Sequence, residues 1–138
     1  MIDPMRHRTI YLLCVALVLA AGVASRRAHA GTPLIDKYLG DALYAILIYL
    51  LLSLAWSRGA IWQKAAVAGA IVLAIEAFQL TLIPERLARS SSAALRLAAV
   101  ALGTKFSWRD IAAYAVGIAA FALLDRYVVS SRRIPNGE

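Results

Sequence analysis

Apolar residues in this chain come in long unbroken runs, and the polar positions gather at the ends of those runs. Residues 60–83, AIWQKAAVAGAIVLAIEAFQLTLI, show the pattern most clearly. As a helix rising ~1.5 Å per residue, the stretch spans roughly 30 Å or slightly more, the thickness of a hydrocarbon core. Glu76 and Gln79 lie inside its C-terminal end and, three residues apart, share one face. A carboxylate at that depth costs a few kcal/mol, so it has to face protein or water and find a partner.

Three further runs flank this one. Residues 9–25 form a first apolar span behind Arg6, His7 and Arg8; the alternative is a secretory signal cleaved after Ala28-His29-Ala30. Arg26 and Arg27, placed between the run and that site, favour a retained helix. A polar connection with Gly31 and Pro33 leads to a second span over 38–56, whose start carries Asp36, Lys37 and Asp41. An acid there also suits the positive end of a helix dipole. Ser57-Arg58-Gly59 is a tight turn, which makes spans two and three antiparallel neighbours. Trp56 and Trp62 suit an interfacial belt, and Lys64 is expected to snorkel to the same surface. Ala66, Ala70 and Ala74 predict a close-packing ridge on span three.

After Pro84 the apolar run from Ala93 to Leu102 is too short to cross unaided and contains Arg96, so residues 86–103 read as an interfacial or re-entrant segment. The last span covers 108–129. Asp110, Tyr114 and Gly117 lie broadly on one of its faces, and Ala113 with Gly117, and Ala115 with Ala119, offer further close-packing positions. Residues 130–138 form a polar tail. The expected fold is therefore an all-α integral membrane protein, one domain over 1–129, with four transmembrane helices and a short helix between spans three and four.

Chain direction turns these positions into a site. If four spans alternate, the starts of spans two and four and the end of span three share one membrane face. Asp36, Lys37, Asp41, Glu76, Gln79, Asp110 and Tyr114 then gather at one end of the bundle, with Arg86, Arg89 and Arg96 above them as counter-charges. The opposite end is expected to hold little beyond Lys64, Arg58 and the tail cations. Such a cluster either binds a ligand or holds the helices in register.

Composition agrees with a membrane setting: 62% of the 138 residues are hydrophobic and 17% charged, and the mean hydropathy is +0.70. The formal charge of +7 is spread over the junctions between runs, which argues for membrane-flanking cations and against nucleic acid. Lysines and arginines divide almost evenly between the two faces, so they do not choose an orientation. Cys14, the single cysteine, excludes an intramolecular disulfide and a thiolate zinc site. No metal or cofactor is expected, and His7 and His29 lie in flanking segments.

Asp36-Lys37, the Tyr38-Leu39-Gly40-Asp41 helix start, Glu76-x-x-Gln79 and Asp110-x-x-x-Tyr114-x-x-Gly117 together resemble the VanZ-like small membrane proteins of bacteria. Leu102-Gly103-x-x-Phe106-x-Trp108-x-Asp110, followed by Tyr114 and Gly117, looks more like an uncharacterised branch of that group, classed as a domain of unknown function. The resemblance covers about residues 35–124. Gly40 stands where VanZ-like proteins typically have a histidine, and Tyr114 where they tend to have asparagine. The resemblance implies a protein of the bacterial inner membrane associated with the envelope; the family's named role is low-level resistance to the glycopeptide teicoplanin.

The leading expectation is a non-enzymatic protein that binds an envelope lipid or lipopeptide at the polar end, with membrane lipids as partners and a homo-oligomer compatible with the sequence. A lipid-modifying enzyme using Glu76 or Asp110 as general acid or base, and a structural or assembly protein, are the alternatives. No Ser-His-Asp set, Cys-His pair or HExxH motif occurs in the chain.

Overall fold

The structure, a computed structural model, describes residues 4–28 and 32–130. These form six helices: α1 (Pro4–Ala28), α2 (Pro33–Ala55), α3 (Ile61–Gln79), α4 (Ile83–Ala88), α5 (Ala93–Leu102) and α6 (Trp108–Ser130). Three windows, Arg8–Ser25, Asp36–Ala55 and Ile61–Gln79, are long and apolar enough to cross a membrane, which points to an integral membrane protein; α5 is a shorter apolar helix. The residues following Ala28 in the expected cleavage pattern, and the tail from 131, lie outside the described residues.

Local chemistry sets the helix ends. Thr32 is extended and Pro33 opens α2, a proline with its φ already helical at a position that needs no N–H. This starts α2 earlier than the expected 38 and puts Asp36 in its first turn. Span three was expected to run to 83, but α3 stops at Gln79 and Leu82 adopts a left-handed φ of 61°. Pro84 is the cause: its ring excludes a continuous helix through the preceding turn, and it opens α4 instead. The single segment expected at 86–103 is two short helices packed on each other. Arg96 closes the bend between them by donating to the Ser90 carbonyl at 3.0 Å and the Ser91 carbonyl at 2.9 Å.

α2 is the hub, packing against α1, α3 and α6, while α6 also packs on α3. The core between α2, α3 and α6 comprises Ala45, Tyr49, Ala68, Val72, Tyr114 and Ile118, with Phe121 and Tyr44 against it. Tyr49 and Phe121 meet in a tilted pair with centroids 5.7 Å apart. Closest approach falls at Gly117, where an added β-carbon would stand 2.5 Å from the Ala42 carbonyl oxygen and 3.0 Å from its Cα. The absent side chain lets α2 and α6 touch backbone to backbone.

The inward face of α3 is not the alanine ridge. Ala66, Ala70 and Ala74 are exposed, and the buried residues are Lys64, Ala68, Val72, Glu76 and Gln79. Spaced mostly by four, they form a stripe that carries every charged group of the helix. Leaving an ionised side chain in hydrocarbon costs more than packing Ala68 and Val72 gains, so the polar stripe sets the helix rotation. On α6, likewise, Gly117 is buried but Ala115 and Ala119 are exposed.

Candidate functional site

The end of α3 and the start of α6 are joined through a loop. Glu76, 1% exposed, accepts the Tyr114 hydroxyl at 3.0 Å and the Gln79 amide at 3.3 Å on Oε1, and the Ser107 backbone N–H at 3.1 Å on Oε2. Gln79 Nε2 also donates to the Leu102 carbonyl at 2.7 Å. Together the two side chains pin both ends of the 102–107 connection between α5 and α6. Gly103 takes φ 72° there, and a β-carbon on it would come 2.8 Å from Gln79 Nε2, so the loop needs glycine for conformation and for room. Phe106 and Trp108 brace the loop in an edge-on pair, centroids 5.1 Å apart.

A second link crosses from α2 to α6. Lys37 Nζ lies 2.7 and 2.9 Å from the two carboxylate oxygens of Asp110. The aspartate is buried and the lysine half exposed, so the pair sits at the rim of the bundle.

Between these links opens a cleft of about 520 Å³, lined by Asp36, Lys37, Asp41, Tyr44, Gln79, Lys105, Asp110 and Tyr114, with Gly40 and residues 100–104 completing its wall. Gln79 Oε1 is buried at this cleft with no hydrogen-bond partner among the described residues. Glu76 itself is not on the wall: its oxygens are turned to the loop and to Tyr114. The arginines are elsewhere. Arg89 pairs with Glu85 at 2.6 Å on the exposed side of α4, Arg96 serves the Ser90–Ser91 carbonyls, and Arg86 is exposed. Arg86, Arg89 and Arg96, expected as counter-charges, are not on the cleft wall; Lys37 pairs with Asp110 and Lys105 lines the cleft instead, while Arg89 and Arg96 are tied to their own hairpin.

A family match decides what this architecture is. The model described as "Protein of unknown function (DUF2809)" matches residues 30–118. The chain belongs to the DUF2809 family. The DUF2809 match runs from the start of α2 through Gly117 on α6, and so includes every residue of the cleft, the 102–107 loop and the Ala42–Gly117 contact. No solved structure matches the chain.

A second polar cluster, which sequence reasoning missed, joins residues of the DUF2809 segment to Tyr11 and Asp125 outside it. Asp125, 5% exposed, accepts the Tyr11 hydroxyl at 2.8 Å and the Tyr49 hydroxyl at 2.7 Å. Lys64, expected to snorkel, is 4% exposed and sits over the Tyr11 ring, 5.9 Å from its centroid. Ser53 is buried in the same region of α2. The signal was present in the spacing: Asp110, Tyr114, Gly117, Phe121 and Asp125 recur at three- and four-residue intervals, which puts Asp125 on the inward face of α6. Along α6 the two carboxylates Asp110 and Asp125 are separated by roughly 22 Å of helix.

Proposed function

We propose that this DUF2809 protein crosses the bacterial inner membrane four times and binds the polar head of an amphipathic envelope molecule in the cleft between α2, α6 and the 100–105 segment. The fourth crossing is α6, whose 23 residues span roughly 34 Å. Its interior from 111 to 124 carries no charge, and the flanking Asp110 and Asp125 are both satisfied inside the bundle. With alternating spans, the cleft opens at one membrane face and the Asp125 cluster lies towards the other. The VanZ-like resemblance of the Asp36-Lys37, Glu76-x-x-Gln79 and Asp110-x-x-x-Tyr114 motifs supports the envelope setting.

The observation that carries the binding reading is the make-up of the cleft. With Lys37 held on Asp110, the wall presents Asp36 and Asp41 against Lys105, together with the unpartnered Gln79 Oε1. Two acids on the wall suit a head group bearing an amine, with Lys105 placed for a phosphate. Binding is favoured over catalysis because Glu76 and Asp110, the carboxylates a lipid-modifying reaction would use, are each engaged by donors of the protein. The test is a titration of the purified protein in maltoside micelles with phosphoethanolamine, followed by ligand-observed NMR. Saturable binding that weakens at least tenfold in an Asp36→Asn/Asp41→Asn variant is expected. Equal signals from wild type and the correctly folded variant would remove the reading.

A further inference from the structure

The polar cleft does not end at its own wall. A narrower apolar groove of about 200 Å³ runs between α1 and α2, lined by Val18, Leu19, Gly22, Val23, Leu43 and Leu47 together with Gly40 and Tyr44. Gly40 and Tyr44 also line the cleft. The two spaces therefore meet over one glycine and along one aromatic ring. A β-carbon built on Gly40 would find no atom within 4 Å, so the glycine is not there to let two helices touch, unlike Gly117. It leaves open space at the place where a polar compartment passes into an apolar one. Tyr44 flanks the passage, tilted against Tyr114 with centroids 6.3 Å apart.

We infer that cleft and groove form one two-part site for a long-chain amphiphile, whose amine-bearing head lies among Asp36, Asp41 and Gln79 and whose acyl chain crosses Gly40 into the α1–α2 groove. This rests on the head-group reading above and adds the chain, its route and the class of ligand: a lipid with at least one unbranched acyl chain. From Gly40 to Leu47 the groove follows about 10 Å of α2, enough to seat the first part of a chain and leave its end in the bilayer. On this shape, a freely soluble head group should fit the site less well than the same head on a chain. The chain gains contact with Leu19, Leu43 and Leu47 while the head keeps its hydrogen bonds.

The experiment compares phosphoethanolamine with a lysophosphatidylethanolamine that carries a diazirine in its acyl chain, using the full chain in phosphatidylcholine nanodiscs. Wild type, Gly40→Leu, Leu47→Trp and Asp41→Asn are photolabelled and the adducts mapped by mass spectrometry. Labelling is expected to concentrate on residues 18–23 and 43–47 and to fall at least fivefold in Gly40→Leu. Leu47→Trp, which narrows the groove at a residue outside the cleft wall, should lower labelling likewise while phosphoethanolamine binding stays within twofold of wild type, and circular dichroism of Gly40→Leu should match wild type. Asp41→Asn should lower both labelling and phosphoethanolamine binding. Labelling of the groove that ignores Gly40→Leu overturns the passage while leaving the head-group reading in place. If phosphoethanolamine does not bind wild type, the head-group reading falls and this inference with it.

Discussion

Tyr49 of α2 donates its hydroxyl to Asp125 of α6 at 2.7 Å, and Tyr11 of α1 donates to the other carboxylate oxygen at 2.8 Å. Three helices thus converge on one buried acid. Lys64 of α3 reaches the same region over the Tyr11 ring, so all four long helices contribute a polar side chain. This cluster closes the bundle at the end away from the cleft and gives the protein a fixed base.

Replacing Asp125 with leucine should therefore be among the most damaging single changes. It leaves two buried phenol hydroxyls without their acceptor, a loss of about 2–5 kcal/mol. Tyr11→Phe removes one donor while the other remains, and should cost about 1 kcal/mol. Thermal unfolding in detergent, followed by circular dichroism, would rank them. An Asp125→Leu variant as stable as wild type would show that the cluster does not hold the helices together.

Which parts of this could be read from the chain alone depends on whether helix direction or helix rotation was needed. Direction follows from span count and turn length, so the gathering of Asp36, Lys37, Asp41, Gln79, Asp110 and Tyr114 around one end was legible. Rotation is decided by competition between faces. Ala66, Ala70 and Ala74 offered a ridge by spacing, yet the stripe of Lys64, Glu76 and Gln79 took the inside because charged groups cost more outside. The same competition hid Asp125, which near the end of a span reads as a solvated residue until Tyr11 and Tyr49 are seen facing it. The arginines misled for another reason. Being near the cleft in sequence did not bring them to it, since Glu85 and the Ser90–Ser91 carbonyls were nearer partners.

The contact at Gly117 makes a sharper demand than most core positions, because the opposing atoms belong to the Ala42 backbone and have no rotamer to change. Gly117→Ala gains about 1 kcal/mol of helix propensity yet should destabilise the protein by about 1–3 kcal/mol through forced separation of α2 and α6. Gly69→Ala is the matched control: its β-carbon would meet nothing within 4 Å, so only the propensity gain remains. Melting temperatures should move in opposite directions. A stabilised Gly117→Ala would mean that the two helices are free to shift apart.

The Glu76 carboxylate should be readable through the loop it holds. In Glu76→Gln one oxygen can still accept from Tyr114, but an amide nitrogen then faces the Ser107 N–H, two donors set against each other. Hydrogen exchange at the Ser107 amide should accelerate roughly tenfold, matching the loss of about 1.4 kcal/mol for one hydrogen bond to a charged group. Amides in the middle of α2 should exchange as before. If the 103–107 amides are equally protected in both proteins, some contact other than Glu76 anchors the loop.

Lys37 and Asp110 face each other with unequal exposure, and that inequality sets what each substitution does. The lysine is half in solvent, so Lys37→Met loses little by itself, but it strands a carboxylate whose side chain is only 8% exposed. Asp110→Asn leaves the ammonium free to turn outward and hydrate. Lys37→Met should thus cost about 1–3 kcal/mol and Asp110→Asn less than about 1 kcal/mol, although both break the same ion pair. A double-mutant cycle separates the pair from the stranded charge: the double variant should be more stable than Lys37→Met alone, with a coupling of about 1 kcal/mol or slightly more. Denaturation of the four proteins in the same detergent gives all the terms. Equal costs for the two single variants would place the carboxylate in water and remove Lys37 as the residue that keeps Asp110 inside the bundle.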